Sequence, residues 1–313
     1  MELLRRLKAD PEPLRPTLRL QVLSPEEILP SPMHMVNPNG LAGALVGIPL
    51  SMRKSSPSIL SLERPMEAGE YLFQGLPTDI TAKVRRAEKK DSYPTREPRP
   101  GVCGYDGLEG ETLPSVAAAR WVVTLELSRR IPGSIGEAIS FGMELGDRLA
   151  LLTRGVVLDE VCRRYYLPGE WRIPDRASQT DAREHVSLRL VDDDGGGMWM
   201  HTHGLAKFGL PELEVRRLAP EHADAATWLL SDLAQRSADG AVLREGQTVG
   251  VREAPLMLRL GGPKTSSHFA GRVLELVDVD RWGRPAEAGA TQGIEAYRIA
   301  QGGDLHGEVC SAG

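Results

Sequence analysis

Cysteine is scarce in this chain, and the three present, Cys103, Cys162 and Cys310, lie far apart without CxxC spacing. That pattern argues against a disulfide framework and against a thiolate zinc site, so a reducing, cytoplasmic setting is the expectation. Long hydrophobic runs are also missing. LAGALVGIPL (Leu41 to Leu50) falls short of the roughly 18 residues a bilayer span needs. The opening MELLRRLKADPEPLRP lacks the apolar core of a signal peptide, so no membrane partner is expected. No sign of charge dominates: 38 Lys and Arg against 43 Asp and Glu leave a formal net charge of −5. The basic residues are scattered rather than striped, which speaks against nucleic acid as a partner. Aromatics make up only 5% of the residues. No period of about 20 to 50 residues recurs, which excludes solenoids and propellers.

Loop formers and apolar residues are what the chain does have. Gly (33) and Pro (23) are frequent, so turns should occupy much of its length. With 313 residues and 41% hydrophobic content it can bury a sizeable core, as one large or two ordinary domains. The Ala/Gly/Arg-rich composition associates it with bacteria.

Patterning divides the chain into an N-terminal segment (1–83), a linker or long loop (84–116), a main α+β domain (117–280) and a Gly-rich tail (281–313). LRLQVL (Leu18 to Leu23) alternates like a strand, Pro25 and the two glutamates after Ser24 suggest a helix start, and NPNG (Asn37 to Gly40) is a turn. The stretch from Lys83 to Glu111 is charged, rich in Pro and Gly, and without sustained period. WVVTLEL (Trp121 to Leu127) reads as a strand, Ser134 opens a helix through Ile135, Ile139, Met143 and Leu145, and GVVLDEV returns to a strand. HVSLRLV (His185 to Val191) and MWMHTH (Met198 to His203) flank DDDGGG and should pair as a hairpin. LEVRRL (Leu213 to Leu218) is a strand, Pro220 starts a helix carrying Trp228, Leu229 and Leu233, and GQTVGV, LMLRL and GRVLELVDV are further strands. The fold class is α+β, with a mixed or antiparallel sheet, a few packed helices and a smaller N-terminal part. The tail wraps the surface or is mobile.

The densest chemistry lies in MWMHTHGLAKFGLPELEV (Met198 to Val215). Strand alternation puts His201 and His203 on one face with about 6.5 Å between their Cα atoms, within reach of a single ion. Zinc would be that ion, needing a third ligand and leaving a fourth position to water. His185 is one candidate, facing the pair only if the hairpin register sets it opposite His203. Glu212 and Glu214 are others, after a Gly-Pro turn, and either could act as a catalytic base. The bland alternative is that Met200 and Thr202 form the buried face and the histidines its exposed side. A metal-free acid–base role is a third. Strand parity puts both glutamates on the polar face, with Leu213 and Val215 on the core face, and Glu214, inside the strand, is expected to couple to the histidines more than Glu212 at the turn.

Other residues attract weaker readings. Asp192 to Asp194 could ligate a hard cation, but the following glycines favour a solvated turn. That glycine triplet has no GxGxxG spacing, so it is a poor nucleotide loop. Glu137 and Glu144 share one helix face and are expected to meet solvent, unless the helix packs over the site. Cys162, beside Arg163 and Arg164, could have a lowered pKa, but with no recognisable partner it is read as a structural or incidental thiol.

The run HTHGLAKFGLPELEV resembles a group of uncharacterised bacterial proteins with an HTHG, FG and ELE core, matched here by His201, Thr202, His203, Gly204, Phe208, Gly209, Glu212, Leu213 and Glu214. The resemblance covers about residues 120–240 and implies an α+β domain without an activity to transfer. MWMHTHG is also locally similar to JAMM-type zinc isopeptidases, in which an HxH pair ends a strand and a serine and an aspartate follow. That similarity implies zinc on His201 and His203, with Glu214 in the place of the aspartate ligand. Pro211 stands where the serine would be, and the upstream catalytic glutamate has no match.

Three classes of function follow: a binding or regulatory protein, for example one that neutralises a toxin or serves in defence; a metal-dependent hydrolase using zinc-bound water; and a structural histidine cluster. No complete catalytic constellation is visible, which favours the first. The partner is a protein or a small molecule.

Overall fold

A computed structural model of the chain describes residues 15–35, 44–49, 62–75, 78–88, 107, 112–130, 135–170, 181–261, 269, 271–280, 282–286 and 289–301. The NPNG turn and most of the 84–116 stretch lie outside the described residues, as does 302–313. Among the described residues the fold is α+β, with one seven-stranded and one six-stranded sheet.

The first sheet joins strands from both sides of the 84–116 stretch. Its order is β2 (Ala44–Pro49), β3 (Gly69–Gly75), β4 (Thr78–Arg86), β5 (Trp121–Arg130), β1 (Arg19–Ser24), β6 (Val156–Asp159) and β7 (Arg164–Tyr166). Both β5 and β6 pair antiparallel with β1. They therefore run parallel to each other, with β1 inserted between them, and a crossover helix must connect them. That helix is α3 (Ile135–Thr153), whose Ile139, Phe141, Leu145 and Leu149 join Leu20, Ile80 and Leu125 in one core. A Cβ on Gly142 would run into the Leu18 side chain, so glycine there lets helix and sheet approach closely. The opposite face packs Leu23, Val122, Val156 and Leu158 against Val116 of α2 (Thr112–Ala117).

Around this first sheet the structure departs from the sequence reading at Pro25 and at Glu144. No helix begins at Pro25: Ser24 Oγ accepts the Glu26 amide at 3.2 Å, but the helical turn α1 waits until Pro32–Met35. Pro30 and Pro32 withhold the amide hydrogens that a helix from Pro25 would need in its second turn. Glu137 is exposed as expected, whereas Glu144 is buried within α3.

The second sheet has the order β11 (Thr248–Val251), β12 (Ala254–Leu260), β13 (Val273–Asp278), β10 (Glu212–Leu218), β9 (Met198–His203) and β8 (Ser187–Asp192). Only β10 and β13 pair in parallel. One face is apolar: Met200, Leu213, Val215, Leu256, Leu258, Leu274 and Leu276 pack under α5 (Ala223–Ala238) and α6 (Thr291–Ala300). Helix α6 lies in the stretch read as a tail, and its Ile294 and Tyr297 are buried.

The two sheets are fastened together at the motif. The Thr17 amide donates to the Ala206 carbonyl (3.0 Å), Ser187 Oγ to the Cys162 carbonyl (2.7 Å) and Arg189 to the Arg163 carbonyl (2.9 Å). Phe208, inside the motif, packs into the core of the first sheet.

Candidate functional site

Strand parity assigns the second face of the second sheet, and that face is ionisable. Residues directly opposite on neighbouring strands point the same way. Register places Arg189 (β8) opposite His201 (β9), His201 opposite Glu214 (β10), Glu214 beside Glu275 (β13), and Glu275 opposite Arg259 (β12). A row of five charged or titratable side chains thus crosses the sheet from one strand to the next. Its centre is dry, with His201 and Glu214 both at 0% exposure. Glu275 is held at the far end by a bidentate pair with Arg259 at 2.9 and 3.0 Å.

Rings stack along β9. The Trp199 and His201 rings lie 4.1 Å apart at 32°, His201 and His203 5.0 Å apart and edge-on, and Phe269 sits against both histidines at 5.4 and 5.1 Å. Trp199 donates its indole N–H to Glu214 at 2.9 Å, and the Arg216 guanidinium lies over its ring at 5.5 Å. His201 and His203 therefore share one face, as strand alternation requires, and that face is buried rather than solvated.

The two glutamates have different partners. Glu214 stands inside the ladder, opposite His201. Glu212 turns to the chain's tight corner, where it accepts the Gly204 amide (2.8 Å), the Ala206 amide (3.1 Å) and the Thr202 hydroxyl (2.7 Å). Its carboxylate thereby supplies acceptors for amide groups at the start of the 3-10 turn Leu205–Phe208. Burial pushes the Glu212 carboxyl up to about 7, against the opposing pull of Thr202 and the amides. Gly204 makes the corner possible: its φ is 125°, and a Cβ would strike the His185 carbonyl and the Cys162 sulfur.

His185 is not on the facing strand. It ends the helical turn α4 (Ala182–His185), the ladder begins with Ser187 opposite His203, and the His185 ring packs edge-on against Phe208 at 5.5 Å. Burial, with the nearby Lys207 charge, lowers it to about 3, so it is a neutral core imidazole. Among the described residues no group of three or more His, Cys, Asp or Glu side chains is placed to hold a metal ion.

A second buried cluster adjoins the corner. Lys207 Nζ and Asp159 Oδ2 meet at 2.8 Å with both side chains at 0% exposure, and Asp159 Oδ1 also accepts the amides of Val161 and Cys162. Burial disfavours the lysine charge, but the facing groups, Asp159 foremost, raise its pKa overall. Cys162 donates to the His185 carbonyl at 2.6 Å, and burial pushes its thiol up, out of the reactive range.

The Asp192 to Asp194 loop is not wholly solvated: Asp192 and Asp194 are exposed, but Asp193 is buried. Asp193 grips Arg216 through both oxygens and accepts the amides of Gly195 and Arg217, which clamps the hairpin over a bulge in β10. Period-two patterning signals Trp199 as a neighbour of His201. Glu275 stands out in GRVLELVDV as the acid amid apolar neighbours. Nothing local marks Lys207 and Asp159 as partners.

Residues 188–258 match the family model described as "Protein of unknown function (DUF4026) C-terminal". No curated protein and no solved structure matches the chain.

Proposed function

We propose that this chain is a non-catalytic binding protein with a regulatory role, of the kind that neutralises a toxin or serves in defence, and that it recognises another protein through its surface. One observation carries the reading: the polar groups of HTHG…KFG…ELE are turned inward and committed to the fold. Glu212 satisfies the corner, Lys207 meets Asp159, Trp199 meets Glu214, and both histidines are packed between rings. A motif used in this way builds a scaffold and leaves recognition to the exterior.

One observation favours a second reading, a hydrolase using zinc-bound water. His201, His203 and Glu214 share one face, and Glu214 is in register with His201. Holding zinc there requires the rings to leave their present stacking partners, and Glu212 could serve as base only by releasing its three donors.

Metal analysis of protein purified without a histidine tag separates the two. The binding reading expects zinc far below about one ion per chain and a melting temperature that added zinc does not raise. Zinc near one ion per chain, lost in a His201→Asn variant, would overturn it in favour of the hydrolase.

A further inference from the structure

The geometry points to the outer edge of β8 as the recognition surface, taking an extended segment of a partner protein as an added strand; this rests on the binding reading above. Strand β8 closes the second sheet on one side, and its inner edge is fully paired with β9 from Ser187 to Asp192. Among the described residues no strand pairs with its outer edge. Alternate residues of an antiparallel edge strand turn backbone N–H and C=O groups outward, and another extended backbone is what satisfies such a row. A lipid or a small metabolite does not.

Side-chain recognition has a place beside that edge. Under α5, between β8 and β9, lies a cavity of about 130 Å³ lined by Val186, Leu188, Thr202, Leu230, Ser231 and Ala234. An apolar cavity of about 150 Å³ accommodates a benzene ring, so this one has room for one branched aliphatic side chain. Further along β8, Leu190 pairs with Met200 on the same face and is 40% exposed. The edge has no lysine to repel an incoming strand, and Arg189 points to the opposite face, towards the Arg163 carbonyl. Asp192 and Asp194 are exposed at its end, whereas Asp193 between them is spent on Arg216. The fitting segment is extended, sets an aliphatic side chain into the cavity, and carries Lys or Arg towards the Asp192 end.

The test uses the full chain as bait for a phage-displayed library of random linear peptides, followed by anisotropy with a synthetic peptide of the enriched sequence. The expected consensus has an aliphatic residue at one position and a basic residue to one side. Ser231→Leu, which fills the cavity from the helix, should weaken the peptide by at least about tenfold. Leu190→Lys, at an exposed position, should do the same if Ser231→Leu fails to fold. Bound peptide should slow amide exchange in 187–192 and leave 248–251 unchanged. Failure to enrich any peptide overturns the assignment. So do peptides indifferent to both variants, with protection elsewhere, although the binding reading then stands. A dimer that Leu190→Lys converts to monomer also overturns it, by showing that a second copy covers the edge. Failure of the binding reading itself would show separately, as stoichiometric zinc.

Discussion

Glu212 shows how one side chain can decide the local architecture. It is almost fully buried, yet it accepts two amides and a hydroxyl that would otherwise go unsatisfied at about 1–3 kcal/mol each. Desolvation still outweighs these bonds and raises its carboxyl from 4.5 to about 7. A carboxyl raised on folding binds protons more tightly in the native state than in the unfolded chain. Its stabilising contribution is therefore fully present below the unfolded value of 4.5 and is lost as pH rises through about 7. Glu212→Gln keeps an acceptor oxygen for the amides and removes the titration. We expect the urea midpoint of the parent protein to fall between about pH 5 and about pH 8 while that of the Gln variant stays flatter over the same interval. Parallel curves for the two proteins would show that Glu212 does not titrate there.

Local signal made several strands and helices legible, but not all: the helix start read at Pro25 is absent, and α6 lies in the stretch read as a tail. Alternation in MWMHTH and LEVRRL correctly divided the two faces of the second sheet, and the aspartates and glycines between β8 and β9 marked their hairpin. Pairing partners far apart in sequence were not legible. Nothing in LRLQVL says that β1 inserts between β5 and β6, and nothing in HVSLRLV says that His185 closes a helical turn while the ladder begins at Ser187. That turn matters because the His185 carbonyl sits where a Gly204 side chain would go. Gly204→Ala should therefore destabilise the protein by roughly 2–4 kcal/mol, combining backbone strain at φ 125° with the displacement of a backbone carbonyl. Thermal or urea melts would measure it. A loss under about 0.5 kcal/mol, the size of an ordinary surface substitution, would mean that the corner relaxes freely.

At the scale of the molecule, the candidate motif doubles as the joint between the two sheets, and Lys207 is the part of that joint most exposed to test. Its ammonium lies across the boundary against Asp159 at the end of β6, with no water access to either group. A buried ion pair contributes little net stability when compared with a well-packed apolar pair, because desolvating two charges offsets their attraction. Removing one partner is different, since it strands the other charge in a dry interior at about 3–5 kcal/mol. The two amides on Asp159 Oδ1 ease that penalty only in part, because Oδ2 loses its cation. Lys207→Met should therefore lower the urea midpoint strongly, whereas Lys207→Met combined with Asp159→Leu should recover much of the loss, at the expense of the amide bonds Asp159 accepts. A double variant as unstable as the sum of its two single variants would show that the pair is not coupled, and that the sheets are held by Phe208 and the backbone bond at Thr17 instead.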